Sequence, residues 1–198
     1  DLELAPEKYF ERSGVPSISG NEGNRMYSVA SRRILLTGYE GDRIAEIWSY
    51  PVRLLGDLNW SIRPDGKGNI PARGMPSVRT IYPDAIHQRY EYSSYGVREQ
   101  IGANIFKPIA YQQLEMVAER PYSLSLHFNV DLAMMWPMPK ESAGRLFYRY
   151  NKAEKRIEVR SEHKDHWMAV ALSRTPEQVN FTDLSDKDSS RLGVEGLF

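Results

Sequence analysis

The sequence predicts an all-β fold, an antiparallel two-sheet sandwich with little helix. Three observations carry that expectation. From residue 24 onward, apolar and polar residues alternate with period two over most of the chain, the spacing of a strand with one buried face. Roughly ten such runs, all short, are separated by Gly-, Pro-, Asn- and Asp-containing stretches, the rhythm of sandwiches and barrels. No stretch of helical length carries the apolar period of about 3.6 that an amphipathic helix needs.

Residues 1–23 include "SGVPSISGNEGN", have no period and read as an N-terminal arm. The sandwich is expected over 24–174. A first strand falls at Arg25 to Ala30. Next comes a hairpin, Ile34 to Tyr39 and Arg43 to Tyr50, around Glu40-Gly41-Asp42, where Gly41 supplies the positive φ of a tight loop. Pro64 to Gly68 reads as a turn. Further strands are expected at Ser77 to Tyr82, Ile86 to Tyr92, Val97 to Phe106 and Ala110 to Ala118. In "PYSLSLHFNVDLAMMW", Leu124, Leu126, Phe128 and Val130 alternate with Ser125, His127, Asn129 and Asp131, which puts the apolar set on one face. Leu146 to Tyr150 and Arg156 to Arg160 form another hairpin, with Ile157 and Val159 pointing one way, and Trp167 to Leu172 follows. Residues 175–198 read as a C-terminal tail or linker. Thr175-Pro176-Glu177-Gln178 offers a short helix start, and "TDLSDKDSSR" a polar linker.

At 198 residues, 41% hydrophobic and 26% charged, the chain has a globular composition and the size of one sizeable domain. Its 26 basic and 26 acidic residues cancel, and its longest basic cluster is Arg32-Arg33, so nucleic acid is not an expected partner. The lack of cysteine excludes disulfides, thiolate metal sites and cysteine nucleophiles. No apolar run has the length of a membrane span, and no signal-like segment opens the chain. The chain begins at Asp1 without a methionine, which points to processing or truncation and favours an extracytoplasmic setting, periplasmic or secreted, over the cytoplasm.

No catalytic residue is identified. There is no G-x-S-x-G and no phosphate-binding glycine loop before a helix; "GNEGNR" precedes a strand. "HKDH" brings His163, Asp165 and His166 together, but Glu162 and Lys164 beside them mark a solvated turn, so neither a metal nor any other cofactor is expected. His127 lies on the polar face of its strand. Glu46, Asp57, Glu91, Glu99, Glu115 and Asp131 fall in strand-like stretches with no spacing that marks a glycosidase pair, and each is expected to partner an arginine. Trp48, Trp60, Trp136 and Trp167 could each present a ring to a sugar face, though packing is the commoner use of a strand tryptophan.

Two stretches are too apolar to be left in water. In "AEIWSYPVRLLGDL" Pro51 breaks or edges a strand. Trp48, Tyr50, Val52, Leu54 and Leu55 make an apolar patch, with Arg53 and Asp57 as a charged pair inside it. "DLAMMWPMP" sets Met134, Met135 and Met138 around Trp136 between prolines. Trp48, Tyr50, Arg53, Asp57 and Trp136 are therefore the candidate residues for a domain interface or a carbohydrate contact.

"SRRILLTGYEGDRIAEIWSYPVRLLGDLNWSI" and "EQIGANIFKPIAYQQLEMVAERPYSLSLHFNVDLAMMWP", in that order, resemble the N-terminal β-sandwich of bacterial glycogen-debranching-like and glucoamylase-like enzymes, the six-hairpin glycosidases. The resemblance covers roughly residues 24 to 172 as a pattern of strands and phrases. It implies a galactose-mutarotase-like supersandwich that precedes and supports an (α/α)₆ catalytic barrel of the same polypeptide, with α-glucan or another oligosaccharide as a further partner. In that superfamily the catalytic acids lie on the barrel, so none carries over to this chain. Other readings stay open: a stand-alone carbohydrate-binding module; a mutarotase-like epimerase using His87 or His127 with Glu99 or Glu115; and a small-ligand carrier barrel.

Overall fold

The computed structural model describes residues 18–19, 25–39, 43–64, 70–71, 78–135, 144–162, 166–184 and 189–197. Among these, all the regular structure is strand. The order is β1 (Ile18–Ser19), β2 (Met26–Ala30), β3 (Leu35–Tyr39), β4 (Ile44–Ser49), β5 (Val52–Pro64), β6 (Ile70–Pro71), β7 (Val78–Ile81), β8 (Ala85–Glu91), β9 (Tyr95–Ala103), β10 (Ala110–Ala118), β11 (Tyr122–Met134), β12 (Leu146–Asn151), β13 (Arg156–Ser161), β14 (Trp167–Ala171), β15 (Gln178–Leu184) and β16 (Ser189–Leu197). They pair into three antiparallel sheets. One has five strands in the order β1-β7-β8-β9-β10. One has eight, β15-β16-β11-β5-β4-β3-β2 with β6 on β5. The third is β12-β13-β14. The expected all-β sandwich is what the chain forms.

Local chemistry sets the tight turns. Between β2 and β3 the Ser31 backbone N–H donates to the Ile34 carbonyl at 2.8 Å, and the Ile34 N–H donates to Ser31 Oγ at 3.1 Å. The serine thus closes the turn from both sides and leaves Arg32 and Arg33 exposed at its tip. Between β9 and β10, Asn104 Oδ1 accepts the N–H groups of Phe106 and Lys107 at 2.9 Å each, an Asx-type turn. Tyr50 and Pro51, joined by a cis peptide bond, link β4 to β5. Pro51 is therefore a hairpin turn, and the expected single patch along "WSYPVRLL" is two adjacent strands.

The alternation read from the sequence builds the core. Val29, Leu36, Ile47, Leu55 and Val130 lie opposite one another across successive strands of the eight-stranded sheet, and all are buried. They share one cluster with Ile86 and Ile101 of the five-stranded sheet and Ile157, Val159 and Met168 of the three-stranded one. Ring contact between Tyr148 on β12 and Phe181 on β15, with centroids 5.3 Å apart, adds to that junction. A second cluster joins Trp60 and Ile62 to Tyr90, Tyr95, Val97 and Tyr122.

One expectation fails. Residues 178–184 and 189–197 are neither a helix nor a polar linker: β15 and β16 pair with each other, and β16 pairs with β11 from Ser123↔Leu197 to Val130↔Ser190. β11 is a long central strand whose backbone groups on the side away from β5 need partners, and β16 supplies them. A polar sequence does not prevent this, because pairing uses the main chain. The expected boundary at 174 thus falls ahead of two strands that belong to the sheet. The loops expected around Gly41, over 65–68 and around Lys164 lie outside the described residues.

Candidate functional site

The site grows out of irregular pairing in β4, β5 and β11. Ile47 pairs with Leu55, but Trp48 pairs with Arg53, so Leu54 is an extra residue in β5. His127 pairs with Asn59 and Asn129 with Gly56, which leaves a second extra residue in β5. Val130 pairs with Leu55 and Ala133 with Arg53, which leaves one over in β11. Two non-glycine residues at these slips adopt left-handed backbone, Asp57 at φ 51° and Leu132 at φ 45°. Such a conformation costs about 1–2 kcal/mol per residue. Bulges that re-aim side chains in this way concentrate at functional sites.

Their effect is to turn a set of polar side chains together, away from the core that Ile47, Leu55 and Val130 occupy. Arg53 is the centre. Its Nη1 donates to Glu46 Oε1 at 3.0 Å, and its Nε lies 3.0 Å from Asp131 Oδ2, an ion-pair contact in which the N–H does not point along the line to the oxygen. Glu46 Oε2 accepts the indole N–H of Trp48 at 2.9 Å. The guanidinium carbon sits 5.8 Å from the Trp48 ring, within cation–π range. Gly56 leaves room for this arrangement: a Cβ there would stand 3.5 Å from Asp131 Oδ2 and 3.1 Å from the Ala45 carbonyl. A second pair borders the first. Arg43 Nε is 2.6 Å from Asp57 Oδ1, and Asn129 Nδ2 donates to Asp57 Oδ2 at 3.1 Å. Around this polar centre Tyr50 (80% exposed), Met135 (47%) and Leu35 (42%) stand in solvent. Leu35 is the cross-strand partner of Trp48, and the Met135 N–H donates to the Pro51 carbonyl at 2.8 Å.

The structure therefore gathers Trp48, Tyr50 and Arg53 in one patch with Asp57 at its border. The expected Arg53–Asp57 pair does not form. Arg53 takes Glu46 and Asp131, and Asp57 takes Arg43. Four residues along one strand span too much length for a salt bridge, while cross-strand neighbours are close. Trp136 lies outside the described residues. Glu46 and Asp131 were not singled out as site residues. Only the pairing of β4 and β11 on either side of β5 brings them to Arg53.

The other acids have partners too. Glu115 takes Arg98 at 2.9 Å and Glu91 takes Arg89 at 2.6 Å. Glu99 has neutral donors around it. It is fully buried, and its two oxygens accept four hydrogen bonds: from Trp60 Nε1 (3.1 Å) and Gln112 Nε2 (2.6 Å) on one, and from Gln88 Nε2 (3.1 Å) and the Tyr90 hydroxyl (3.0 Å) on the other. Of the epimerase pairings, His87 with Glu99 is set apart by register. Gln88 pairs with Glu99 and His87 with Gln100, so His87 and Glu99 face opposite sides of their sheet. Arg98, on the strand between His87 and Glu115, holds Glu115. His127, half-buried on β11, belongs to the other sheet.

A guanidinium fixed between two carboxylates, with an indole beside it and tyrosine, methionine and leucine at the rim, has the composition of a recognition surface, where aromatic residues, Met and Arg are enriched. No group of three or more His, Asp or Glu among the described residues could hold a metal ion. No helix among them is long and apolar enough to cross a membrane. No protein-family model matches the chain, and no curated protein matches it in sequence.

Proposed function

We propose that the chain is a non-catalytic β-sandwich domain of a carbohydrate-active glycoside hydrolase, of the glycogen-debranching or glucoamylase-like kind, which packs on and supports an (α/α)₆ catalytic barrel. The observation that carries this reading is the bulged patch itself: Tyr50, Leu35 and Met135 are exposed around the fixed Glu46–Arg53–Asp131 centre. A rigid polar centre with an apolar rim suits a protein partner better than a reacting substrate. The strand acids support it further. Five of the six hold arginines, and the sixth is buried among four donors, an arrangement that serves structure rather than general acid–base work. An extracytoplasmic setting accompanies this reading.

The test is co-purification of the chain with an (α/α)₆ barrel encoded in the same reading frame, with and without the paired substitutions Trp48→Ala and Tyr50→Ala. Association that weakens in the double variant, while the chain alone leaves α-glucan intact, supports the reading. Hydrolysis or anomer interconversion by the chain alone would overturn it. A stand-alone carbohydrate-binding module is the second reading, favoured by the exposed tryptophan described next.

A further inference from the structure

The three-stranded sheet has a face that neither the core nor the bulged patch uses. Ile157 and Val159 of β13 and Met168 of β14 are buried on the inner side. The alternate residues point outward. Phe147 on β12 pairs with Arg160 on β13, and Arg160 with Trp167 on β14. This straight row runs across all three strands. Phe147 is 52% and Trp167 65% exposed, and Arg160 is exposed between them. Leaving an indole two-thirds in water forgoes the burial that such a side chain usually contributes to folding. Beside Trp167 on the same face stand Ala169 and Ala171, both exposed, so the floor next to the indole is low and open. Arg145 lies over the Phe147 ring at 5.7 Å.

Spacing and charge suggest the occupant. Rings on the outer strands of a three-stranded sheet stand about 10 Å apart, twice the interstrand distance. Alternate sugar rings of an extended pyranose chain have a similar separation. Each ring offers a flat apolar face for sugar C–H groups, and Arg160 lies midway as a planar fork that matches a carboxylate. Positive charge converges here: Arg156 hydrogen-bonds Glu158, and the charges of Arg149 and Arg160 act on the same carboxyl, which is held below its ordinary range. Arg156 is engaged by Glu154 and Glu158. Among the described residues Arg149 and Arg160 make no hydrogen bond or ion pair. Glu158 lies between these arginines, across from Arg149 and on the same strand as Arg160.

We propose that Phe147, Arg160 and Trp167 form a binding platform for an acidic oligosaccharide, a chain of pyranose rings bearing carboxylates, with two rings stacked on the aromatics and a carboxylate on Arg160. The proposal rests on the carbohydrate-active reading above but uses a different surface. The test is titration of the 198-residue chain with a galacturonate oligomer, a neutral malto-oligosaccharide of equal length and a single-stranded oligodeoxynucleotide, followed by calorimetry and tryptophan fluorescence. The galacturonate oligomer is expected to bind best. Trp167→Ala and Phe147→Ala should each weaken it, and Arg160→Gln should weaken it about tenfold while leaving neutral sugar unaffected. All three side chains are exposed, so circular dichroism should be unchanged. Binding of the neutral oligomer alone would overturn the acidic assignment and leave the carbohydrate-active reading standing. Preference for the oligonucleotide, no binding to the acidic oligomer, or binding that Trp167→Ala does not alter would overturn the platform itself. The barrel association tested through Trp48 and Tyr50 is decided separately.

Discussion

Glu99→Gln is the sharpest perturbation of this fold. The carboxylate sits at 0% exposure with two donors on each oxygen, three from its own sheet and one, Trp60, from the facing sheet. Glutamine has nearly the same shape but replaces one oxygen by an NH₂ group. The NH₂ is best placed toward the Tyr90 hydroxyl and the Gln88 amide, which can turn to accept, because the Trp60 N–H can only donate. A hydrogen bond to a charged acceptor contributes about 1.5–3 kcal/mol and a neutral one about 0.5–1.5 kcal/mol, so losing the charge across this set of bonds costs several kcal/mol. The amide is cheaper to bury than the carboxylate, which offsets part of that loss. A net destabilisation of about 3 kcal/mol is expected. For a chain of this size it corresponds to a fall in Tm of about 6–12 °C. Urea and thermal unfolding followed by tryptophan fluorescence measure it, since Trp60 reports from the site. An unchanged m-value would show that the change acts on stability alone. A Glu99→Gln protein within about 0.5 kcal/mol of the parent would refute the account of Glu99 as an acceptor that ties the two sheets together.

Arg53→Ala should cost about 2 kcal/mol in the same unfolding assay, because it removes a cationic partner of Asp131, whose side chain is only 9% exposed. Arg53→Lys should recover only part of that, since one ammonium cannot replace the fork between Glu46 and Asp131. The Tyr95 hydroxyl is buried without a hydrogen-bond partner among the described residues, and desolvation, with smaller contributions from Tyr92 and Tyr122, pushes its pKa up to about 12. That raised value favours the folded state fully below the unfolded pKa of about 10, and the contribution is lost as pH rises to about 12. Urea midpoints should therefore fall between those pH values in the parent and fall less in Tyr95→Phe. At neutral pH the same variant should gain about 1 kcal/mol by removing an unsatisfied hydroxyl. Gly38→Ala should destabilise by about 1–3 kcal/mol, read from the thermal midpoint, because its Cβ would run into the Tyr27 hydroxyl and the Arg43 carbonyl, which cannot both yield.

Period-two alternation was enough to place most of the strands, and β10 (Ala110–Ala118) has the expected bounds. It also gave the inward face of β11, with Phe128 and Val130 buried, and of β13, with Ile157 and Val159 buried. These are local properties: a side chain's face follows from its parity along the strand, and a proline or an Asx turn acts within four residues. The apolar excess of "WSYPVRLL" likewise marked the ground on which Trp48, Tyr50 and Arg53 meet. Partner choice was not legible. Arg53 has one acid four residues away and takes two others that β4 and β11 bring alongside. The polar sequence after 174 gives no hint that β11 needs a neighbour. Register, bulges and the stacking of sheets join residues far apart in the chain, and a strand's own pattern does not encode which strand will lie beside it. The sequence alone determined that the chain is built of strands and which side of most of them is apolar. Only tertiary structure decided that Glu99 would be buried among four donors and that Phe147, Arg160 and Trp167 would line up in the open, because each depends on where neighbouring strands set their registers.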